Sequence, residues 1–277
     1  MPFFFAAFFI FLSLPLTAPL AAQERTIPLL ISDHHADHLE FFFRHGRNTS
    51  AAMIVLDAHC DTVANGQYGL IRNLAAAGNF SRAGELAGNH NWIHPLTPAP
   101  LGTLAWISTI RGYPRSDKLE GFRRSLASWD RGIFAIFLSV EELRFLEIIE
   151  QTLFVSVDLD FFYSENHGPQ DVFPVLDALF AFSSRRTGAV VWAFCLSRPW
   201  LPDDRYAWTL LEQCLSWLNS RREFRAPEIT LFSSSRVDTS RTAEAFRAEG
   251  REVPALREAD TPERIRALIG ELWRRRN

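Results

Sequence analysis

Cysteine is scarce in this chain. It has three, Cys60, Cys195 and Cys214, an odd number with no C-x-x-C spacing. That excludes a disulfide framework and a thiolate zinc site, and leaves each cysteine to be read as a small packing residue. An excess of positive charge is also lacking. The formal net charge is −3, so no global basic field exists to hold nucleic acid. The Arg274–Arg276 run reads as the cationic end of a last helix, where it complements the helix dipole. There is no glycine-rich phosphate loop and no Walker pattern. The apolar run Phe3–Leu14 is too short for a membrane span, and small residues around Ala18–Ala22 follow it. Residues 1–23 therefore read as a secretory signal with a cleavage site near Ala22 or Gln23, although no Lys or Arg precedes Glu24. The expectation is an exported, periplasmic protein. A retained leader would make it an N-terminal membrane anchor, and a misassigned start would leave the protein cytoplasmic.

What the chain does have is apolar substance, 47% of its 277 residues. Residues 24–277 are expected to form one domain. Apolar runs predict strands at Ile27–Ser32, Met53–Asp57, Leu104–Ser108, Ile133–Leu138, Leu153–Asp158, Ala189–Leu196 and Ile229–Phe232. Several do not alternate with polar residues, as expected of strands covered on both faces. Helices are predicted at Ala36–His45, Val140–Glu150, Val172–Ser184, Tyr206–Arg221, Thr239–Glu249 and Thr261–Arg275, the last with Thr261 as cap and Pro262 in its first turn. Residues 65–100 read as an elaborated loop. The fold class is α/β, a three-layer α/β/α arrangement with a mostly parallel sheet. In such sheets ligands gather at the carboxyl ends of strands.

Three strand candidates end in metal-binding residue types: "LLISDHHADH", "IVLDAHCD" and "FVSVDLDFF". In extended chain, side chains two apart share a face, so Asp57, His59 and Asp61 can converge, and so can Asp158 and Asp160. Several buried carboxylates at one edge call for a divalent cation. A carboxylate–imidazole donor set without thiolates suits manganese, iron or zinc better than calcium.

"LDAHCD" resembles the D-A-H-x-D signature of the arginase/agmatinase and histone-deacetylase-like superfamily, "SVDLDFF" its S-x-D-x-D segment, and "SDHH" its upstream G-D-H. More narrowly, "DHHADHLEFFF", "VLDAHCDT", "NHNWIHPL" and "VSVDLDFF" together, in that order, resemble the uncharacterised UPF0489 family of that fold. The resemblance implies an arginase/deacetylase-like fold and two metal ions, manganese first and zinc or iron as alternatives. It assigns His34, Asp57, Asp61 and Asp158 to one ion, and His59 and Asp160 to the other, with Asp57 and Asp158 bridging. His34 aligns with G-D-H better than His35 does, and a one-residue slip in that alignment would make His35 the ligand instead. The chain departs from the superfamily after Asp160, where "FFYS" carries no third aspartate. In the late segment "LFSSSRVDTS" only Asp238 stands where arginase has its guanidinium-binding glutamate.

The implied chemistry is metal-assisted hydrolysis of a C–N bond, amide or guanidino, in a small-molecule substrate. Asp61 would hold the metal at the catalytic centre. His94 or His90 on the "GNHNWIHP" loop would be the general acid. Asn65, Trp92 and Arg198 are candidate substrate contacts, Arg198 toward an acidic group, with turn, packing and salt-bridge roles as the alternatives. His38 and His45 are expected on the exposed side of the first helix. Two other readings compete: a non-catalytic metal-binding or interaction protein on the same fold, and a metal-dependent phosphoesterase. In DHH phosphoesterases the DHH string follows the acidic motifs, whereas here it precedes them.

Overall fold

The computed structural model describes residues 26–46, 49–97, 100–107, 116–129, 133–163, 168–224 and 228–230. The leader, the two helices expected beyond residue 238 and Arg274–Arg276 lie outside the described residues.

Seven strands form one sheet: β1 Leu29–Ser32, β2 Ala51–Leu56, β3 Leu101–Ile107, β4 Phe134–Leu138, β5 Thr152–Asp158, β6 Ala189–Cys195 and β7 Glu228–Thr230. Their order is β4-β3-β2-β5-β6-β1-β7, and every neighbouring pair is parallel. The helices are α1 Asp37–Gly46, α2 Tyr68–Ala76, α3 Phe80–Glu85, α4 Ser116–Ala127, α5 Val172–Ser184 and α6 Asp204–Asn219. All seven expected strands are present, shifted by a few residues at their ends.

Strand parity divides the interior into two cores. Ala52, Ile54, Leu56, Val155 and Val157 face α5 and α6. Met53, Val55, Phe154, Val191 and Ala193 face α1, α2, α3 and α4. Because both faces are covered, β2 and β5 are buried along their whole length, which is why "AAMIVL" carries no polar alternation. Helix α1 has acids in its first turn and bases in its last, matching its dipole. Asp203 caps α6 by accepting from the Tyr206 amide.

Two expectations about local structure are corrected. Val140–Glu150 is not an α-helix but a single 3-10 turn, Glu141–Phe145, followed by irregular chain. Leu143 and Ile148 pack inward, while Ile149 is 94% exposed. Residues 65–100 are more regular than a loop and contain α2 and α3. Each is short and begins without an acid in its first turn; α2 has no side-chain cap, whereas Asn79 caps α3 by accepting from the Arg82 amide.

From β2 the chain steps outward to β3 and β4. It then returns to lay β5 on the other side of β2 and continues outward to β6. The carboxyl ends of β2 and β5 therefore meet at a switch point in strand order, where the departing connections diverge and leave a crevice. Among the described residues, no helix is long and apolar enough to cross a membrane.

Candidate metal centre

Asp57 is the first residue beyond β2, and Asp158 is the last of β5. Both belong to the parity that faces α1. The chain does not stay extended past either. Asp61 adopts a left-handed backbone conformation, φ 47°, and residues 159–162 coil into a 3-10 turn that the Asp158 carboxylate caps, accepting from the Asp160 amide at 3.1 Å. Turns, not strand alternation, thus bring Asp61 and Asp160 back to Asp57 and Asp158. Among the described residues the only non-glycine positions with positive φ are Asp61 and Ser197, and both belong to this cluster. Such backbone strain concentrates where function over-determines geometry.

Of the residues that follow β1, His35 is the histidine that the structure brings to the carboxylates. Its Nδ1 lies 2.7 Å from Asp61 Oδ2, 3.3 Å from Asp158 Oδ2 and 3.4 Å from Asp57 Oδ2. The expectation for His34 is corrected here, because β1 ends at Ser32 and a turn rotates His35 inward. His59 Nδ1 is 2.9 Å from Asp160 Oδ2 and 3.7 Å from Asp57 Oδ1. Two groups of donor atoms result, each compact enough for one ion: His35, Asp57 and Asp61, and Asp57, His59 and Asp160. Asp57 belongs to both.

The electrostatics are those of a site short of positive charge. Burial and the neighbouring Asp61, Asp160 and Asp158 push the Asp57 carboxyl well above the usual carboxylate range. Burial and Asp160 push Asp158 up to about 6. Burial opposes charge on His35, but Asp61 and Asp158 outweigh it and raise this imidazole to about 10. His59 is raised to about 9 against the same opposition, chiefly by Asp160. Asp160 is held low despite burial by the adjoining His59. The Asp57 Oδ2 atom is fully buried and accepts no hydrogen bond. A buried carboxylate oxygen with no donor, at the centre of four carboxylates and two imidazoles, fits a divalent cation.

The surroundings hold this cluster in place. Three indoles donate into residues 57–62: Trp92 to the Asp61 carboxylate at 2.8 Å, Trp106 to the Asp57 carbonyl at 3.1 Å and Trp129 to the Thr62 carbonyl at 2.9 Å. Ser197, at the end of β6, donates to Asp158 Oδ2 at 2.5 Å. The Ala58 amide donates to Asp160 Oδ1 at 3.2 Å. Sequence reasoning missed Ser156, Trp106 and Trp129, of which only Ser156 stood inside a motif.

The remaining candidates are placed differently from their expected roles. Trp92 is wholly buried and lies 4.7 Å from the His35 ring, so it is a wall behind the cluster and not a substrate contact. His94 is buried between Tyr68 and Trp129, with ring centroids at 4.5 and 4.9 Å, and its Nδ1 accepts the Asn65 amide. That packing supports a structural role and not a general acid. Asn65 makes a turn, accepting from the Gln67 amide and donating to Asn91. Arg198 is buried in a two-pronged pair with Asp33, at 3.1 and 3.0 Å, which ties the end of β6 to the end of β1 and takes the guanidinium away from a substrate. His38 is fully buried, contrary to its expected exposure, whereas His45 is half-buried and packs on Phe41.

No protein-family model and no curated protein matches the chain. Among solved structures it is similar to the crystal structure of Helicobacter pylori arginase, at 15% identity over 70% of this chain and 73% of that one, with a TM-score of 0.39. A likeness of that strength says nothing about activity, and what the site can do has to be read from its own residues.

Proposed function

We propose that this protein is a dinuclear metal-dependent hydrolase that cleaves a C–N bond, amide or guanidino, in a small molecule, and that it belongs with the UPF0489-type sequences it resembles. The observation that carries the reading is Asp57, a fully buried carboxylate shared by two His/Asp groups, with one oxygen that has no hydrogen-bond donor. His35, Asp57, Asp61 and Asp158 would hold one ion, and Asp57, His59, Asp158 and Asp160 the other, with manganese preferred and zinc or iron acceptable to the same donors. When bound, such ions supply a water acidified toward neutral pH and positive charge for the developing transition state. The chain's own residues orient this chemistry. Trp92 and Ser197 hold Asp61 and Asp158 in place, and the sealed floor behind His35 keeps bulk water off the buried half. His59, its side chain 43% exposed and its ring 4.8 Å from Trp200, marks the side from which a small molecule would approach.

Metal analysis of the full chain, purified without chelators, tests this directly. About two ions of manganese, zinc or iron per chain are expected. No bound metal, with none taken up on addition, would overturn the reading. A screen of amide, guanidino and phosphoester compounds then separates C–N hydrolysis from phosphoester hydrolysis, and Asp158→Asn should abolish whichever activity is found.

A further inference from the structure

Ser156 lies fully buried within β5, on the face turned to α1. Its hydroxyl is 2.9 Å from His35 Nε2 and 2.8 Å from His38 Nδ1. A hydroxyl carries a single hydrogen, so it donates to one of these imidazoles and accepts from the other. The choice is made at the far end of His35. Its Nδ1 is the atom aimed at Asp57, Asp61 and Asp158, and that nitrogen offers a lone pair to a cation only if the ring hydrogen sits on Nε2. His35 then donates to Ser156, Ser156 donates to His38 Nδ1, and His38 keeps its own hydrogen on Nε2.

We propose that His38, acting through Ser156, is a positioning residue that holds His35 in the tautomer able to bind a cation. The role rests on the metal reading above and adds to it a residue that touches no carboxylate. The geometry leaves the chain little freedom. His35 and His38 are joined by a backbone hydrogen bond at the start of α1, and their rings meet edge to face at 4.7 Å. The Trp92 ring packs against both, at 4.7 and 5.5 Å. If the acceptor on His38 is removed, the Ser156 hydrogen turns to His35 Nε2. The hydrogen of His35 then moves to Nδ1, where it opposes a cation. Outer partners of metal-binding histidines act in this way.

The test titrates manganese alone, and separately zinc alone, into the metal-free full chain and its variants. His38→Leu and Ser156→Ala are each expected to weaken binding roughly 10–100-fold without changing the number of ions bound. His38→Asn, whose side-chain oxygen stands where Nδ1 does, should recover most of that loss. In the Ser156→Ala background, His38→Leu should cost nothing further, because the path through the hydroxyl is already gone. If the two losses instead multiply, His38 acts by packing and the proposal fails. It fails too if Ser156→Ala binds manganese as tightly as the unaltered protein. Should His38→Leu not fold, His38→Asn and Ser156→Ala decide between them: equal losses in the two overturn the relay. An unaltered protein that binds neither metal would overturn the metal reading itself, a separate outcome.

Discussion

The two halves of the carboxylate cluster use the same residue types and differ in what stands around them. The half built on His35, Asp57 and Asp61 is sealed: the His35 and Asp57 side chains are 2% and 1% exposed, with Trp92, Ser156 and His38 packed behind. The half built on His59 and Asp160 opens to solvent through the His59 ring, which rests against Trp200. One half is thus fixed by the interior. The other is held mainly by its own charges, and it is where an incoming molecule would meet the site. Asp57 joins them.

Asp57→Asn should break both halves at once and have the largest effect. Metal binding should fall by more than the ~100-fold expected for loss of an outer partner. The metal-free variant should melt at a higher temperature than the unaltered protein, because burial and three neighbouring carboxylates make the native carboxylate unfavourable. Metal analysis and thermal melts in excess chelator check this pair of opposite changes. A lower melting temperature would show that the cluster is not under the repulsion described.

Trp92→Phe should affect the sealed half alone. It keeps a ring against His35 and removes the N–H that Asp61 accepts, a hydrogen bond to a charged group worth about 1.5–3 kcal/mol. Denaturant unfolding should report a loss in that range, with the His59–Asp160 contact unchanged in a crystal structure of the variant. A loss below about 0.5 kcal/mol would mean that Asp61 finds another donor.

The third test is a graded pH response of the metal-free protein. His35 and His59 are raised to about 10 and about 9, above the ordinary imidazole value near 6.5. Groups raised in this way contribute stability that is fully present below about pH 6.5 and is lost as pH rises through about 9 to 10. Asp158, raised to about 6, acts in the same direction at lower pH, its contribution being lost as pH rises from about 4 to 6. Asp160, held low, contributes stability that is lost only on acidification, outside the alkaline window. Thermal melts in chelator should therefore show a steady decline from pH 6.5 to 10. His59→Gln should remove only a shallow part of it, since that exposed ring is screened by water. A flat profile would contradict the charge arrangement.

Much of this was legible in the residues. Uninterrupted apolar runs such as "AAMIVL" mark strands buried on both faces, and the acidic residues that end them mark the edge where a site forms. Burial of a strand and the cost of burying carboxylates are local in origin, so the alternating β/α order and the identities of Asp57, His59, Asp61, Asp158 and Asp160 could be read without coordinates. Which of two adjacent histidines turns inward could not, because the answer depends on a turn after Ser32 that no strand or helix period describes. Nor could the burial of Arg198 against Asp33, residues separated by most of the described chain. His94, read as an acid, and Trp92, read as a substrate contact, took their places from packing partners far away in sequence. The amino-acid order determined by itself which strands form and which charges they carry. The tertiary structure alone decided which side chains face those charges, because that depends on the order in which β2 and β5 are laid side by side and on the turns that leave them.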